Sequence, residues 1–412
     1  MNERILVTCE SAPNIALIKY WGKQDEELIL PLNGSISITL DRNVLCSKTS
    51  LLLTKTTSSE KKIQITLNSK SQQINDNPKD TAKKENDLIS RKRLFKMLNK
   101  VRENCELDDV NSYEIQIISD NNFPTACGLA SSASGFACLA LCLSVAFKYK
   151  GDMSELARLG SGSACRSCFG GFVKWSSGKE SNQSLASMIF PSQHWPELNI
   201  LAFILEDEKK KVSSTDGMQT TTKTSDLLAH RVKIVENERL DQMQAAISEK
   251  CFNKVGKLAI RDSNCFHAVC MDTYPPLFYL NDKSKEIIHM VNEYNKFEQK
   301  DKDDLKVFYS FDAGPNAFLF VLDENLNEFI YLIYLLYFSH INENEYFELK
   351  IFRNKSLDLI KSIDTNRKTV LQNHFMKIFT KLESNNSFIK YIIHSKIGQD
   401  PAVCVDHNKA LS

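Results

Sequence analysis

Small residues and hydroxyls dominate one stretch of this 412-residue chain, Pro124-Thr-Ala-Cys-Gly-Leu-Ala-Ser-Ser-Ala-Ser-Gly135. Gly128, Ala130, Ala133 and Gly135 leave the backbone bare, so its N–H groups can approach a polyphosphate closely. Ser131, Ser132 and Ser134 add hydroxyls that can donate to phosphate or ligate magnesium. The stretch follows an alternating apolar segment, residues 113–119, that reads as a strand, and it enters an apolar run, 132–147, that reads as a helix. A helix N-terminus there would aim about half a positive charge at a bound anion. A tightly packed small-residue helix would have the same composition. No Gly-Lys-Ser/Thr follows, so this is not a Walker A sequence, and it is not the dinucleotide fingerprint either.

Three charged residues stand in settings that suit chemistry. Asp312 precedes Gly314 and Pro315, whose tight turn would hold a carboxylate at one angle, whether as a base or as an Asx-turn cap on a strand end. Arg166 lies in a segment otherwise made of Gly, Ser, Ala and Cys, and a guanidinium can pair bidentately with a carboxylate. Lys19 is flanked by Ile15, Leu17, Ile18 and Trp21, surroundings that weigh against an ordinary solvated lysine.

The loop at 124–135 resembles the P-x-x-x-G-L-x-S-S-A loop of the GHMP kinase superfamily. Further segments resemble one branch of it, the diphosphomevalonate decarboxylases. These are Asn14-Ile-Ala-Leu-Ile-Lys-Tyr-Trp-Gly-Lys23, Gly160-Ser-Gly-Ser-Ala-Cys-Arg-Ser-Cys-Phe-Gly-Gly171, Val212-Ser-Ser-Thr-Asp-Gly-Met218, Asp262-Ser-Asn-Cys-Phe-His-Ala268 and Tyr309-Ser-Phe-Asp-Ala-Gly-Pro-Asn316. The resemblance implies ATP-dependent decarboxylation of (R)-5-diphosphomevalonate to isopentenyl diphosphate, with ATP as co-substrate and Mg2+. It implies that Asp312 is the base for the C3 hydroxyl, Arg166 the carboxylate clamp and Lys19 the ammonium at the reacting centre. Asn14 would orient Arg166. Tyr20, Trp21, Gly22, Lys23 and Arg93 would grip the diphosphate. Ser161, Gly162, Ser163, Ala164, Cys165 and Thr215 would contact substrate. Pro124, Gly128, Leu129, Ala130, Ser131 and Ser132 would hold the nucleotide; no metal ligand is assigned. A kinase that stops at the phosphorylated product would not require Arg166 and the 311–316 segment, and a non-catalytic paralogue would have lost one of the three charged groups.

Gly34 stands where the family usually shows serine, so a lost hydroxyl there is expected to alter nucleotide contacts modestly. The segment 396–401 is less glycine-rich than the family's ending, and no role is assigned to it. His267, alone in a helical apolar segment, reads as a core residue. The charge runs at 209–211 and 91–93 suit either an anion-collecting rim or a solvated face.

The elements that must position these groups are mixed. Residues 36–40 and 63–67 alternate like strands with one solvated face; 93–101, 225–254 and 329–338 read as helices, and 200–205 as a strand. Residues 68–87 and 296–306 read as polar peripheral inserts, and 341–390 carries no motif. There is no regular strand-helix beat, so a two-domain α+β fold is expected. The superfamily resemblance makes it an N-terminal α/β domain, residues 1–192, bearing the phosphate loop, and a C-terminal α+β domain, 193–412, supplying Asp312, with the site in the cleft between them. Homodimers are common in the family.

Lysine plus arginine (52) nearly equals aspartate plus glutamate (51), a formal charge of +1, which argues against a chain-wide grip on nucleic acid. The longest apolar runs, 136–147 and 329–338, fall short of the ~20 residues a membrane helix needs. Residues 1–17 carry Glu3, Arg4 and Glu10 without an apolar core, unlike a secretory or transit signal. The expectation is a cytoplasmic protein with a small-molecule substrate. Its 12 cysteines, with Cys165 and Cys168 as a lone C-x-x-C, read as dilute buried thiols rather than metal or redox sites.

Overall fold

A computed structural model describes residues 3–58, 62–75, 85–123, 131–208, 210–299, 304–339, 341, 352–353, 362–379 and 388–404. Along the strand Tyr113–Asn121, Tyr113, Ile115 and Ile117 turn inward and their neighbours outward, the period of two expected from the sequence. This strand belongs to a six-stranded sheet ordered Ala402–Cys404, Arg4–Ser11, Ser47–Lys55, Tyr113–Asn121, Lys62–Leu67, Lys70–Asn75. The helices Glu85–Glu103, Ser131–Ala146 and Met153–Gly160 cover one face. Small side chains let Ser131–Ala146 settle directly on the strands. Cys138 Sγ donates to the Cys9 carbonyl at 3.0 Å, and Cys142 Sγ to that of Thr49 at 3.3 Å.

A four-stranded antiparallel sheet, Ala186–Phe190, Phe172–Trp175, Ser35–Thr39, Asn14–Ile18, comes next. The third sheet runs Val307–Phe311, Ala317–Leu322, Leu198–Ile204, Tyr391–Ser395, Phe352–Arg353. Its central strand Leu198–Ile204 is buried throughout, which makes it read as a continuous apolar run. Leu201 and Phe203 face one core, with the helices Asp282–Lys296, Asp323–Tyr337 and Thr365–Ile378. Ile200, Ala202 and Ile204 face another, shared with Ile15, Ile36 and Ile38 of the four-stranded sheet. The expected boundary at 192/193 falls in the short 3-10 turn Ser192–His194 that leads into Leu198–Ile204.

The mixed α+β class is as expected; several details differ. Residues 70–75, read as part of an insert, form a strand hairpinned on Lys62–Leu67, while 76–84 lie outside the described residues. Lys306, read as part of a peripheral insert, sets its ammonium 5.2 Å from the Tyr294 ring centre and donates to the Phe297 carbonyl. The helix expected at 225–254 is three consecutive helical pieces, Leu227–Ile234, a π-turn Val235–Arg239 and Leu240–Ser248, before Phe252–Asp272 begins. In the 341–390 region, Leu371 and Phe375 of Thr365–Ile378 plug the C-terminal core. The 396–401 segment ties down a turn: Gly170 N–H donates to Asp400 Oδ1 at 2.7 Å, and Gly171 N–H to the Gly398 carbonyl at 2.9 Å. Cys138, Cys142, Cys165 and Cys168 are buried free thiols. Among the described residues no helix is long and apolar enough to cross a membrane.

Phe308 lies fully buried in the core that the two inner sheets share, stacked on Phe320 at 4.5 Å and tilted on Phe252 at 5.1 Å. Phe308→Ala is expected to lower unfolding free energy by ~3–5 kcal/mol in a urea titration, the usual cost of such a cavity.

Candidate active site

Two strand ends build the centre. Asn14–Ile18 delivers Lys19, and Val307–Phe311 delivers Asp312. The Ala16 carbonyl joins them, accepting from Lys19 Nζ at 2.8 Å and from Ser310 Oγ at 3.0 Å. The Lys19 ammonium then meets Asp312 Oδ1 at 2.6 Å, across 293 residues of sequence. Lys19 is almost wholly buried, whereas Asp312 keeps 29% of its side chain exposed toward the cleft. Burial pushes the Lys19 ammonium below its ordinary pKa, Asp312 opposes that, and the Arg166 charge adds to it.

Arg166 lies in the 3-10 turn Gly162–Cys168. Its Nε donates to Asn14 Oδ1 at 3.2 Å and its Nη1 to Ser35 Oγ at 2.6 Å, and its plane lies 5.9 Å from the Trp175 ring centre. Asn14 is itself fixed, donating to Ser167 Oγ at 2.8 Å and to the Ser163 carbonyl at 3.1 Å. Burial holds the guanidinium below its usual pKa.

These groups line one cleft of about 340 Å³. Lys19, Lys23, Arg93, Arg166 and Lys210 supply its cations, and Asp312 is the one carboxylate among the described lining residues. Such a charge excess in a partly desolvated hollow suits polyanionic ligands. Ala16, Ile29, Met218, Phe266 and Ala313 give it apolar wall. The helix Ser131–Ala146 points its N-terminus here, with Ser131 and Ser132 on the lining.

The other expected residues divide. Tyr20, Trp21, Lys23, Ser161, Gly162, Ser163 and Thr215 line the cleft. The Tyr20 hydroxyl is buried and has no hydrogen-bond partner among the described residues, and burial raises its pKa. Lys23 Nζ pairs with Glu26 at 2.5 Å. Arg93 Nη2 donates to Thr215 Oγ1 at 3.0 Å, whereas Arg91 lies over the Phe95 ring, so of that charge run it is Arg93 that reaches the cleft. Gly22, in the left-handed region at φ +89°, shapes the turn without lining the cleft. Asn14, Ala164 and Cys165 do not line it either. Ala164 and Cys165 pack into cores, and burial pushes the Cys165 thiol up to about 12. Pro124, Gly128, Leu129 and Ala130 lie outside the described residues.

Gly34 requires a correction. Its N–H donates to Glu236 Oε1, and a Cβ there would come within 2.9 Å of the Trp175 carbonyl oxygen. The position is packed against Trp175 and Glu236 and does not line the cleft, so a hydroxyl there would not face it. Lys210, Ser213 and Ser214 line the cleft but were not singled out; the only signal for Lys210 was its charge run. His267 is buried behind the site, its Nε2 without a partner among the described residues, and burial together with the Lys19 charge lowers its pKa to about 3.

Comparison with known proteins identifies the family. Residues 11–186 match the family described as Diphosphomevalonate decarboxylase-like N-terminal domain, and residues 200–404 the one described as Mevalonate 5-diphosphate decarboxylase C-terminal domain. The chain is 39% identical to diphosphomevalonate decarboxylase of Danio rerio, covering 99% of this chain and 96% of that one. It is 38% identical to the Rattus norvegicus protein, over 98% and 94%. Mevalonate diphosphate decarboxylase from Trypanosoma brucei superposes with a TM-score of 0.83 at 33% identity, covering 99% of this chain and all of that one. A structure described as MDDEF in complex with MVAPP, AMPPCP and magnesium superposes with a TM-score of 0.69 at 28% identity, over 98% and 99%. The chain therefore belongs to the diphosphomevalonate decarboxylase family.

Proposed function

We propose that this enzyme decarboxylates (R)-5-diphosphomevalonate to isopentenyl diphosphate at the expense of ATP, with the roles of its residues as follows. A 3-hydroxy acid has no carbonyl placed to accept the electrons released as CO2 leaves, and hydroxide is a poor leaving group. Asp312 takes the proton of the C3 hydroxyl, whose oxygen attacks the γ-phosphorus of ATP, and ADP departs. The C3–O bond then breaks to release phosphate. The C1–C2 pair becomes the C2–C3 double bond, and C1 leaves as CO2. Arg166 holds the carboxylate until that step, aimed by Asn14 and Ser35. Lys19 offsets the charge of the phosphoryl group in transfer and departure.

Tyr20, Lys23 and Arg93 hold the diphosphate; the Tyr20 hydroxyl, which has no partner among the described residues, supports this by offering a donor inside the cationic cleft. Ser131 and Ser132 receive the nucleotide phosphates at the helix N-terminus. Among the described residues no cluster of three His, Cys, Asp or Glu could hold a metal. Magnesium would come with the nucleotide phosphates, with a serine hydroxyl of this loop beside it, and would neutralise phosphate charge. The observation that carries the proposal is that Asp312, Lys19 and Arg166, far apart in sequence, line a single cleft beside that helix.

Coupled assays should find one CO2 for each ADP formed from mevalonate diphosphate; ADP without gas would make the enzyme a kinase. Asp312→Asn should lower kcat by ~100- to 10,000-fold while equilibrium dialysis still detects substrate binding. Near-normal turnover in that variant would remove Asp312 as the base.

His267 is assigned no proton transfer. With its folded pKa near 3 and an ordinary value of 6.5, it stays neutral in the native state while the unfolded chain takes up a proton. Its contribution to stability is thus complete above pH ~6.5 and is lost as the pH falls toward 3. Its ring resonances should accordingly show no titration between pH 8 and pH 5 by NMR; a midpoint near 6.5 would contradict that.

The reading extends to a cytosolic homodimer. Light scattering on the eluting protein should return twice the chain mass.

A further inference from the structure

Lys19 lies just past the end of its sheet ladder, whose last pair there is Ile18 with Ile36. Its peptide group is buried and still needs partners. Side chains supply them. Asp262 Oδ2 accepts the Lys19 N–H at 2.7 Å, while Asn33 Nδ2 and Arg231 Nη2 each donate to the Lys19 carbonyl at 3.0 Å. Asp262, fully buried in the helix Phe252–Asp272, also receives Arg231 Nη2 and Arg239 Nη1, both at 2.9 Å. Arg239 closes the π-turn Val235–Arg239. Such turns shift a helix's phase by one residue and recur at functional sites. The next residues of the Asp262 helix hold the opposite strand: Ser263 Oγ accepts the Phe311 N–H at 3.0 Å, and Asn264 Oδ1 accepts from the Tyr309 hydroxyl at 3.2 Å.

One helical turn thus seats both the Lys19 backbone and the strand that presents Asp312. Stability alone is a weak reason for such a cluster, because a buried ion triad is often replaceable by apolar side chains without loss. We propose that Asp262, braced by Arg231 and Arg239, is a positioning residue of the reaction, fixing the Lys19 backbone so that its ammonium faces Asp312 and the cleft at one angle. This rests on the reading that Lys19 works at the reacting centre.

The charges around the ammonium give a distinguishing readout. Asp312 faces it from its strand end, Asp262 from the helix, Arg166 from the 3-10 turn, and Arg231 and the neutral His267 lie close by. Asp262 and Asp312 favour the charged ammonium, whereas burial and Arg166 oppose it. Removing the Asp262 charge therefore lowers the pH at which Lys19 loses its proton.

The test is Asp262→Asn in the full-length enzyme. The expected result is a kcat at least ~10-fold lower, the scale of a misplaced catalytic group, with KM for mevalonate diphosphate nearly unchanged. The alkaline limb of the kcat profile should also move to lower pH. A folded variant with unaltered kcat and an unmoved limb would overturn the proposal. If that variant does not fold, Arg239→Lys keeps the charge and loses the fork; kcat should fall several-fold at constant KM, and an unchanged kcat would likewise overturn it. Lys19→Ala is measured alongside: normal turnover in that variant would defeat the reading of Lys19 itself.

Discussion

The contact between Lys19 and Asp312 is the constraint around which the molecule is arranged. An ammonium that is almost wholly buried tolerates its site only with a carboxylate and backbone oxygens at hand. Neither residue can supply that setting locally, since they arrive on strands from different sheets. The Ala16 carbonyl, bound from one side by Lys19 and from the other by Ser310, makes the junction of those strands a single hydrogen-bonded unit. The shared core of the two inner sheets, with Ile15 and Ile36 on one side and Ile200 and Phe320 on the other, keeps that junction rigid.

From this follows a division of labour in the cleft. Arg166 is braced by the neutral side chains of Asn14 and Ser35, whereas Lys19 is braced by the Asp312 carboxylate. Of the groups suited to the diphosphate, the buried Lys23 pairs with the more exposed Glu26, and Arg93 donates to Thr215. Burial depresses the Lys19 and Arg166 pKa values, so the protein holds cations that gain from an arriving anion. Binding energy and charge placement are thus coupled from the start.

How much of this was readable in the chain depended on whether a residue's neighbours betrayed it. Asp312 before Gly-Pro, Arg166 among small residues and Lys19 among apolar ones were each odd in their own segments. Asp262, Arg231 and Arg239 were not, because a charge on a helix looks solvated until a partner from another helix appears, and the π-turn that brings Arg239 round has no sequence mark. The Lys70–Asn75 strand was hidden for a related reason: Lys-Ser-Gln-Gln-Ile-Asn holds a single apolar residue, so its sequence shows no alternation. Lys210 could not be told from Lys211 by composition, since what separates them is which one reaches the cleft.

The strand Ala402–Cys404 pairs with Arg4–Ser11, Cys9 opposite Val403. The outer edge of Arg4–Ser11 therefore stays uncovered while nearly four hundred further residues are translated. That edge is an adhesive surface in the nascent chain, and loop closure over so great a separation comes late. Sealing it therefore waits for residues 402–404, and a chain interrupted before residue 402 would leave the ribosome with that flank open to pairing with a neighbour.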